Sequence, residues 1–347
     1  MSDATLDTHR HGGSQYAELS RLIRQAGLLD RRRAYYALRM GALGACYVGA
    51  WALFGWLGES WWQLGVAAAL AVVFAQAGFI GHDAGHRQIF RTRRANDLVG
   101  LVHGNLLIGL SYDWWVTKHN RHHAHPNTEG HDPDIVVRPL SFTPEQARRQ
   151  RGPGAVVARY QAYLFFPLLL LEGLHLHVAS VRAVVGPGRV RRRPVEAALL
   201  ALHTVGYLGA VVLVLSPAQA VAFVLVNQGL LGLYLGSAFA PNHKGMPILA
   251  ADDRVDYLRR QVLTSRNVRG SWFLDGLLGG LNYQIEHHLF PNMPRPHLRR
   301  ARPLVRQFCA EHAIPYHETS LTGSWAQVLR HLHAVGSGRA VDDAAAG

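Results

Sequence analysis

"MGALGACYVGAWALFGWL" (residues 40–57), "GES" (58–60) and "WWQLGVAAALAVVFAQAGFI" (61–80) decide how the rest of this chain is read. Neither long run carries a charge. A hydrocarbon core ~30 Å thick is crossed by about 20 apolar helical residues at ~1.5 Å each, so both runs suit a membrane crossing. The three-residue turn makes them a hairpin. Trp51, Trp56, Trp61 and Trp62 sit near that turn, at the depth where amphipathic rings favour the bilayer interface. A second pair follows: "VEAALLALHTVGYLGAVVLVL" (195–215) and "AQAVAFVLVNQGLLGLYLGSAFA" (218–240), joined by Ser216-Pro217. Four such runs paired by short turns argue against core helices of a soluble protein. The expected fold is an all-α integral membrane protein: four transmembrane helices in two hairpins, with interfacial helices and a cytosolic helical cap.

The remaining segments fit around those spans. Residues 98–112 and 162–178 are apolar, but the first is short and the second holds Pro167, Glu172, His175 and His177. Both suit interfacial or re-entrant helices better than crossings. Residues 1–15 read as a disordered tail and 16–39 as a basic amphipathic helix, so 1–39 stands apart from a membrane domain at 40–315. Residues 292–333 are polar and arginine-rich, a helical cap. Its end and a disordered tail make up 316–347. No apolar core with a cleavage site marks the N-terminus as a signal peptide.

Charge sets the orientation. Lys+Arg is 36 against 23 Asp+Glu, a formal +13, and only Lys118 and Lys244 are lysines. The two hairpin turns have no basic residue. The opposite ends carry Arg31–Arg33 and Arg39, Arg87 to Arg94, Arg189 to Arg193, and Arg254, Arg259 and Arg260. The positive-inside bias then puts both termini and the 81–194 segment in the cytosol. The arginine-over-lysine usage suggests a bacterial plasma membrane. The basic excess is assigned to anionic membrane lipids and acyl-carrier headgroups. No nucleic-acid motif appears, and the arginines track membrane ends, so nucleic acid is not an expected partner. Cys46 and Cys309 are too few for a disulfide framework or a thiolate metal site.

The chain has 21 histidines, and three groups stand out. "GHDAGH" places His82 and His86 four apart, on one helix face. "HNRHH" places His119, His122 and His123 at i, i+3, i+4. "QIEHH" repeats that pattern with Gln284, His287 and His288. Neutral imidazole is the commonest nitrogen ligand for transition metals. Seven histidines exceed what one four-coordinate zinc takes, so the reading is two metal ions in one cage. "APNHKGMP", just past the last span, adds Asn242 and His243 and would complete a set of eight. The ligands alone leave Fe, Zn, Cu and Ni open. A site at the bilayer boundary suggests a lipid-like substrate, and attack on an unactivated methylene points to iron with O2. Rival readings are a lipid hydroxylase or ketolase on the same scaffold, a haem-binding electron carrier, and a non-catalytic zinc-binding membrane protein. Haem ligation would set histidines mid-span on facing helices, whereas these cluster at span ends.

"HDAGH", "HNRHH" and "QIEHH", in that order and at these separations, resemble the three histidine boxes of membrane fatty acid desaturases. "GNLLIGLSYDWWVTKHNRHHAHPNTEGHDPDI" and "NYQIEHHLFPNMPR" are similar to the family's second-box and third-box regions. The likeness covers roughly residues 60–315, and the Gln-led third box resembles the front-end and linoleoyl-CoA-type branch. The resemblance implies a diiron centre that uses O2 and two external electrons to insert a cis double bond into an acyl chain. It implies His82, His86, His119, His122, His123, His243, His287 and His288 as ligands of two Fe ions. Many front-end members carry a fused cytochrome b5 domain with a His-Pro-Gly-Gly haem signature. That signature is absent here, as is a Gly-rich dinucleotide fingerprint. The expected electron donor is therefore a separate ferredoxin or cytochrome b5-like protein with its reductase. The expected substrate is a fatty acyl group on CoA, carrier protein or glycerolipid. Asp83, Glu286 and Asp132 are candidates to orient ligand imidazoles, Gln284 to bond a ligand or bound water, and Asn242 to hold a water. Trp114 and Trp115 are candidates to line the acyl entrance or to anchor at the interface. Asn227 and Gln228, mid-span, are expected to bond across helices, with lining of an acyl tunnel as the alternative.

Overall fold

The computed structural model describes residues 12–338. Residues 1–11 and 339–347, assigned above to disordered tails, lie outside the described residues. In chain order the helices are α1 (Gly12–Gln25), α2 (Arg33–Leu57), α3 (Gln63–Gly85), α4 (Arg93–Gly100), a π-helix (Leu101–Leu107), α5 (Tyr112–Ala124), a 3-10 turn (Pro133–Ile135), α6 (Pro144–Arg149), α7 (Pro153–Leu169), α8 (Glu172–Val185), α9 (Arg193–Val214) and α10 (Pro217–His243). Then come α11 (Tyr257–Leu263), α12 (Trp272–Leu277), α13 (Gln284–Leu289), α14 (Arg295–Glu311) and α15 (Leu321–Ser337). Two short strands, β1 (Asn267–Val268) and β2 (Glu318–Thr319), pair in parallel with Asn267 opposite Glu318.

The chain divides into two compact units. The first comprises Met1–Asp30, Arg121–Ala162 and Ala240–Gly347; the second comprises Arg31–Asn120 and Tyr163–Phe239. The second is the membrane unit. Among the described residues, α2, α3, α9 and α10 are the four helices long and apolar enough to cross a membrane, the four the sequence marks. At the α2–α3 turn, Gly58 has φ 57°. The buried Gln63 amide donates to Phe54 O (2.7 Å) and Gly58 O (2.9 Å), satisfying carbonyls that the end of α2 leaves open. Trp56, Trp61 and Trp62 around it are exposed. Mid-span, Tyr207 on α9 donates to Asn227 Oδ1 (3.0 Å), and Asn227 Nδ2 donates to Ala67 O on α3 (3.1 Å). Three spans are thus joined through one amide, as expected where water cannot solvate it.

Residues 162–178 form the bend between α7 and α8, which meet at 80°. The break packs directly against glycines of α10. A Cβ on Gly232 of α10 would lie 2.4 Å from Leu169 O and 2.5 Å from Gly173 N. Small residues let membrane helices approach to backbone contact. Gly232→Ala is therefore expected to cost about 1–3 kcal/mol by overpacking, read as a lower thermal midpoint in detergent. Gly206→Ala, on α9 with open space around its Cβ position, serves as the tolerant control.

One expectation needs correction. Residues 16–39 are not one amphipathic helix. Gly27, at φ 66°, sits just past the end of α1, the position where glycine stops a helix. Arg33 already begins α2, so "RAYYALR" belongs to the first span's helix. In the other unit, α1 buries Leu19 and Ile23 against Leu298, Ala301, Val305 and Phe308 of α14 and against Leu258 and Val262 of α11. These i, i+3, i+4 spacings are those of amphipathic helices packed on a core.

Candidate metal centre

The membrane unit holds a group of three imidazoles. Helix α3 continues past its apolar run through "GHDAG", which puts His82 in its last turn and His86 at its C-cap. Helix α5 brings His119. The ring centroids lie 4.7 Å (His82–His86), 5.1 Å (His82–His119) and 4.9 Å (His86–His119) apart, and one nitrogen of each falls within 4.8 Å of the others. His82 Nδ1 lies 3.2 Å from Asp83 Oδ1. Trp115 stacks on His119 at 4.4 Å and meets His82 edge-on at 5.5 Å. Trp115 thus braces two imidazoles, a contact beyond interfacial anchoring, and Trp114 beside it is half-buried.

The other unit holds His122 and His123 from the last turn of α5, His243 from the end of α10, and His287 and His288 from α13. All five are buried. One nitrogen from each of His122, His243 and His288 lies within 4.8 Å of the others. Each of these rings has its Nδ1 engaged on its outer side: His122 by Asp132 at 3.0 Å, His243 by Thr264 O at 2.9 Å, His288 by Gln261 Oε1 at 2.9 Å. An acceptor at Nδ1 selects the tautomer protonated there and leaves the Nε2 lone pair for a metal. His122 Nε2 and His243 Nε2 face each other at 3.3 Å. Two imidazole nitrogens about 2.1 Å from one ion, at a tetrahedral or octahedral angle, lie about 3–3.4 Å apart. The donor set and its spacing therefore fit a transition metal. His123 stacks on His288 at 4.1 Å and meets His287 edge-on at 4.8 Å.

The residues around this cluster divide by what they touch. Asp132 also accepts from Asn127 N (2.7 Å) and Asp134 N (2.8 Å). Burial alone would raise its carboxyl; the facing His122 imidazole brings it below its ordinary value. Gln284, where the second box has histidine, holds its amide nitrogen 2.9 Å from His243 Nε2. Asn242 is buried, and its carbonyl accepts from Arg266 N at 2.8 Å. Glu286 differs from expectation: it accepts from Asn267 Nδ2 and Tyr316 OH, each at 2.7 Å. It ties α13 to β1 and to Tyr316, two residues before β2, instead of orienting an imidazole, and burial pushes its carboxyl up to about 7.

Three contributors escaped the sequence. Gln261 holds His288 and also donates to His123 O at 3.0 Å. Thr264 supplies only a backbone carbonyl, which no residue type signals. Arg266 is fully buried; its guanidinium donates to Pro241 O and Lys244 O, both 2.8 Å, and to Gln327 Oε1 at 2.6 Å. A polar residue buried on a short helix or loop shows no periodicity, so nothing marked these positions. The other histidines lie elsewhere: His125 against Arg260 and His131, His175 against Glu172, and His203 on Leu106 O.

The comparisons with known proteins agree with this chemistry. A family model described as fatty acid desaturase matches residues 59–320. The chain is 30% identical over 331 residues to an acyl-lipid (9-3)-desaturase of Physcomitrium patens, covering 92% of this chain and 62% of that protein. It is 30% identical over 330 residues to the Delta(6)-fatty-acid desaturase fat-3 of Caenorhabditis elegans, covering 91% and 74%. Against a Delta(8)-fatty-acid desaturase of Euglena gracilis it is 32% identical over 278 residues, covering 77% and 66%. With buried histidine clusters able to hold a metal, four helices apolar enough to cross a membrane and a match over three quarters of its length, the chain belongs to the fatty acid desaturase family.

Proposed function

We propose that this desaturase holds two iron ions through His82, His86, His119, His122, His123, His243, His287 and His288, and inserts a cis double bond into a fatty acyl chain. The observation that carries the reading is the trio His122, His243 and His288, each with Nδ1 bonded outward and one ring nitrogen within 4.8 Å of the others', His122 Nε2 facing His243 Nε2 at 3.3 Å. Bound iron with O2 would supply the oxidant that strips one hydrogen from each of two adjacent acyl carbons. O2 leaves as two waters, taking up those two hydrogens, two electrons and two protons. The electrons come from a separate ferredoxin or cytochrome b5-like protein with its reductase. The chain's own residues hold the rings: Asp132, Thr264 and Gln261 fix tautomer and direction, and Trp115 braces His119 and His82. The arginine-rich span ends support a site on the cytosolic face of a plasma membrane, and the arginine-over-lysine usage supports a bacterial one.

Two of the relatives named above are called Delta(6)- and Delta(8)-fatty-acid desaturases. The new bond is accordingly proposed to lie in the carboxyl-proximal half of the acyl chain. Expression in a host that lacks desaturases, with mass spectrometry locating any new unsaturation, tests both points. A hydroxylated or oxo product in place of an alkene would overturn the desaturase outcome. Asp132→Ala is a narrower test: loss of the carboxylate behind a metal-bound histidine lowers metal affinity roughly 10–100-fold. Iron retained at wild-type affinity would remove Asp132 from the site's support.

A further inference from the structure

Helix α5 carries the proposed ligand His119, so whatever holds its N-terminus also sets where that ligand sits. A helix begins with amides that have no intrahelical partner. Here each is taken. Tyr112 N donates to Asn105 Oδ1 of the π-helix at 3.2 Å, and Trp114 N donates to Ser111 Oγ at 3.4 Å. Asp113 N donates to Glu196 Oε1 at 2.8 Å, and Ser111 Oγ donates to Glu196 Oε2 at 2.5 Å. Trp115 N then makes the first helical bond, to Ser111 O at 3.0 Å. Ser111, Asn105 and Glu196 are all fully buried.

Glu196 lies in the first turn of α9, at the polar end of an apolar span. A fully buried carboxylate there needs compensation. It finds a hydroxyl, an amide and the positive end of the α5 dipole. Such a cap is normally supplied from within the helix or just before it. A carboxylate from another helix does more than close the end. Its two oxygens meet two different groups, so both the rotation and the axial position of α5 are defined relative to α9. His119 follows Asp113 by six residues on a rigid rod, about 9 Å at ~1.5 Å per residue. A shift at the cap therefore passes to the imidazole undiminished. The reverse contact adds to this: Asp113 Oδ2 accepts from Arg191 N at 2.5 Å, in the segment leading into α9.

We infer that Glu196 is a positioning residue of the metal centre: from α9 it sets the register of the part of α5 that presents His119. The inference rests on the reading of His119 as a ligand. The test uses the full chain in lipid nanodiscs, stripped of metal and titrated with Co2+, following the visible ligand-field bands and the thermal midpoint. Glu196→Ala is expected to weaken Co2+ binding at least tenfold in the folded fraction and to change the bands. Glu196→Gln keeps an oxygen for Asp113 N and a polar partner for Ser111, and is expected to restore most of both. Ser111→Ala, a milder loss that keeps Glu196 on Asp113 N, is expected to shift both readouts in the same direction. If Glu196→Ala lowers the thermal midpoint while Co2+ affinity and bands stay those of the wild type, the inference is overturned. If Glu196→Ala does not fold, unchanged Co2+ behaviour in Ser111→Ala overturns it instead. A wild-type chain that takes up no Co2+ overturns the metal reading beneath it.

Discussion

Replacing His122 with alanine is expected to abolish desaturation and to lower the iron content of the purified protein. His122 occupies the centre of its cluster. Its Nδ1 is held by Asp132, its Nε2 faces His243 at 3.3 Å, and its ring meets His288 edge-on at 5.0 Å. Without it, the nearest pair, His243 and His288, offers two imidazoles in place of three. Loss of a mere supporting partner behind a metal-bound histidine costs roughly 10–100-fold, so loss of the ligand itself should exceed that. Product in the desaturase-deficient host should fall below about one hundredth of wild type. The control is His125→Ala, three residues along. His125 leans on Arg260 at 3.1 Å and lies against His131 with the two rings tilted, 4.9 Å between centroids, and iron and turnover should persist. Full iron and full activity in His122→Ala would sink the ligand assignment.

Arg266→Met should destabilise the protein by about 3 kcal/mol or more, since each buried acceptor left without its donor costs about 1–3 kcal/mol. The guanidinium has no carboxylate partner within its described contacts. Its donors go to the carbonyls of Pro241 and Lys244 at the end of α10 and to Gln327 of α15. Burial lowers its pKa to about 10, so the group stays protonated at neutral pH. A cation at helix C-terminal carbonyls is favourable, and the planar fork bonds several at once, which a lysine ammonium does not reproduce. Arg266→Lys should therefore rescue little. The segment that carries Arg266 also presents Thr264 O to His243 and bonds Asn242 O through its own amide. The variant should thus lose metal affinity as well as thermal stability. A thermal midpoint equal to wild type in Arg266→Met would refute this account.

Much of the architecture was legible because the membrane is a demanding solvent. Lipid leaves backbone groups no partner outside the segment, so an uncharged run such as 61–80 has essentially one solution. The arrangement of His82 with His86, and of His119 with His122 and His123, was legible because a helix repeats every 3.6 residues. The boundary at Gly27 was harder to see: a basic stretch reads the same whether it is one helix or two, and only the backbone turn at that glycine divides it. The bend between α7 and α8 was visible as an ambiguity, an apolar run interrupted by Pro167 and Glu172. The glycines of α10 that it packs against lie some 60 residues away in sequence.

Periodicity and composition within single segments thus determined the four spans, the three histidine clusters and the helical faces that carry them, because those depend on local geometry and on the solvent each segment meets. Tertiary structure alone decided which group holds each ring: Asp132 on His122, a bare carbonyl on His243, Gln261 on His288. It alone showed Glu286 serving Asn267 and Tyr316, Arg266 closing α10, and Glu196 capping α5. These are hydrogen bonds between positions far apart in the chain. A buried donor must find an acceptor somewhere, but only the folded packing says which one is within 3 Å.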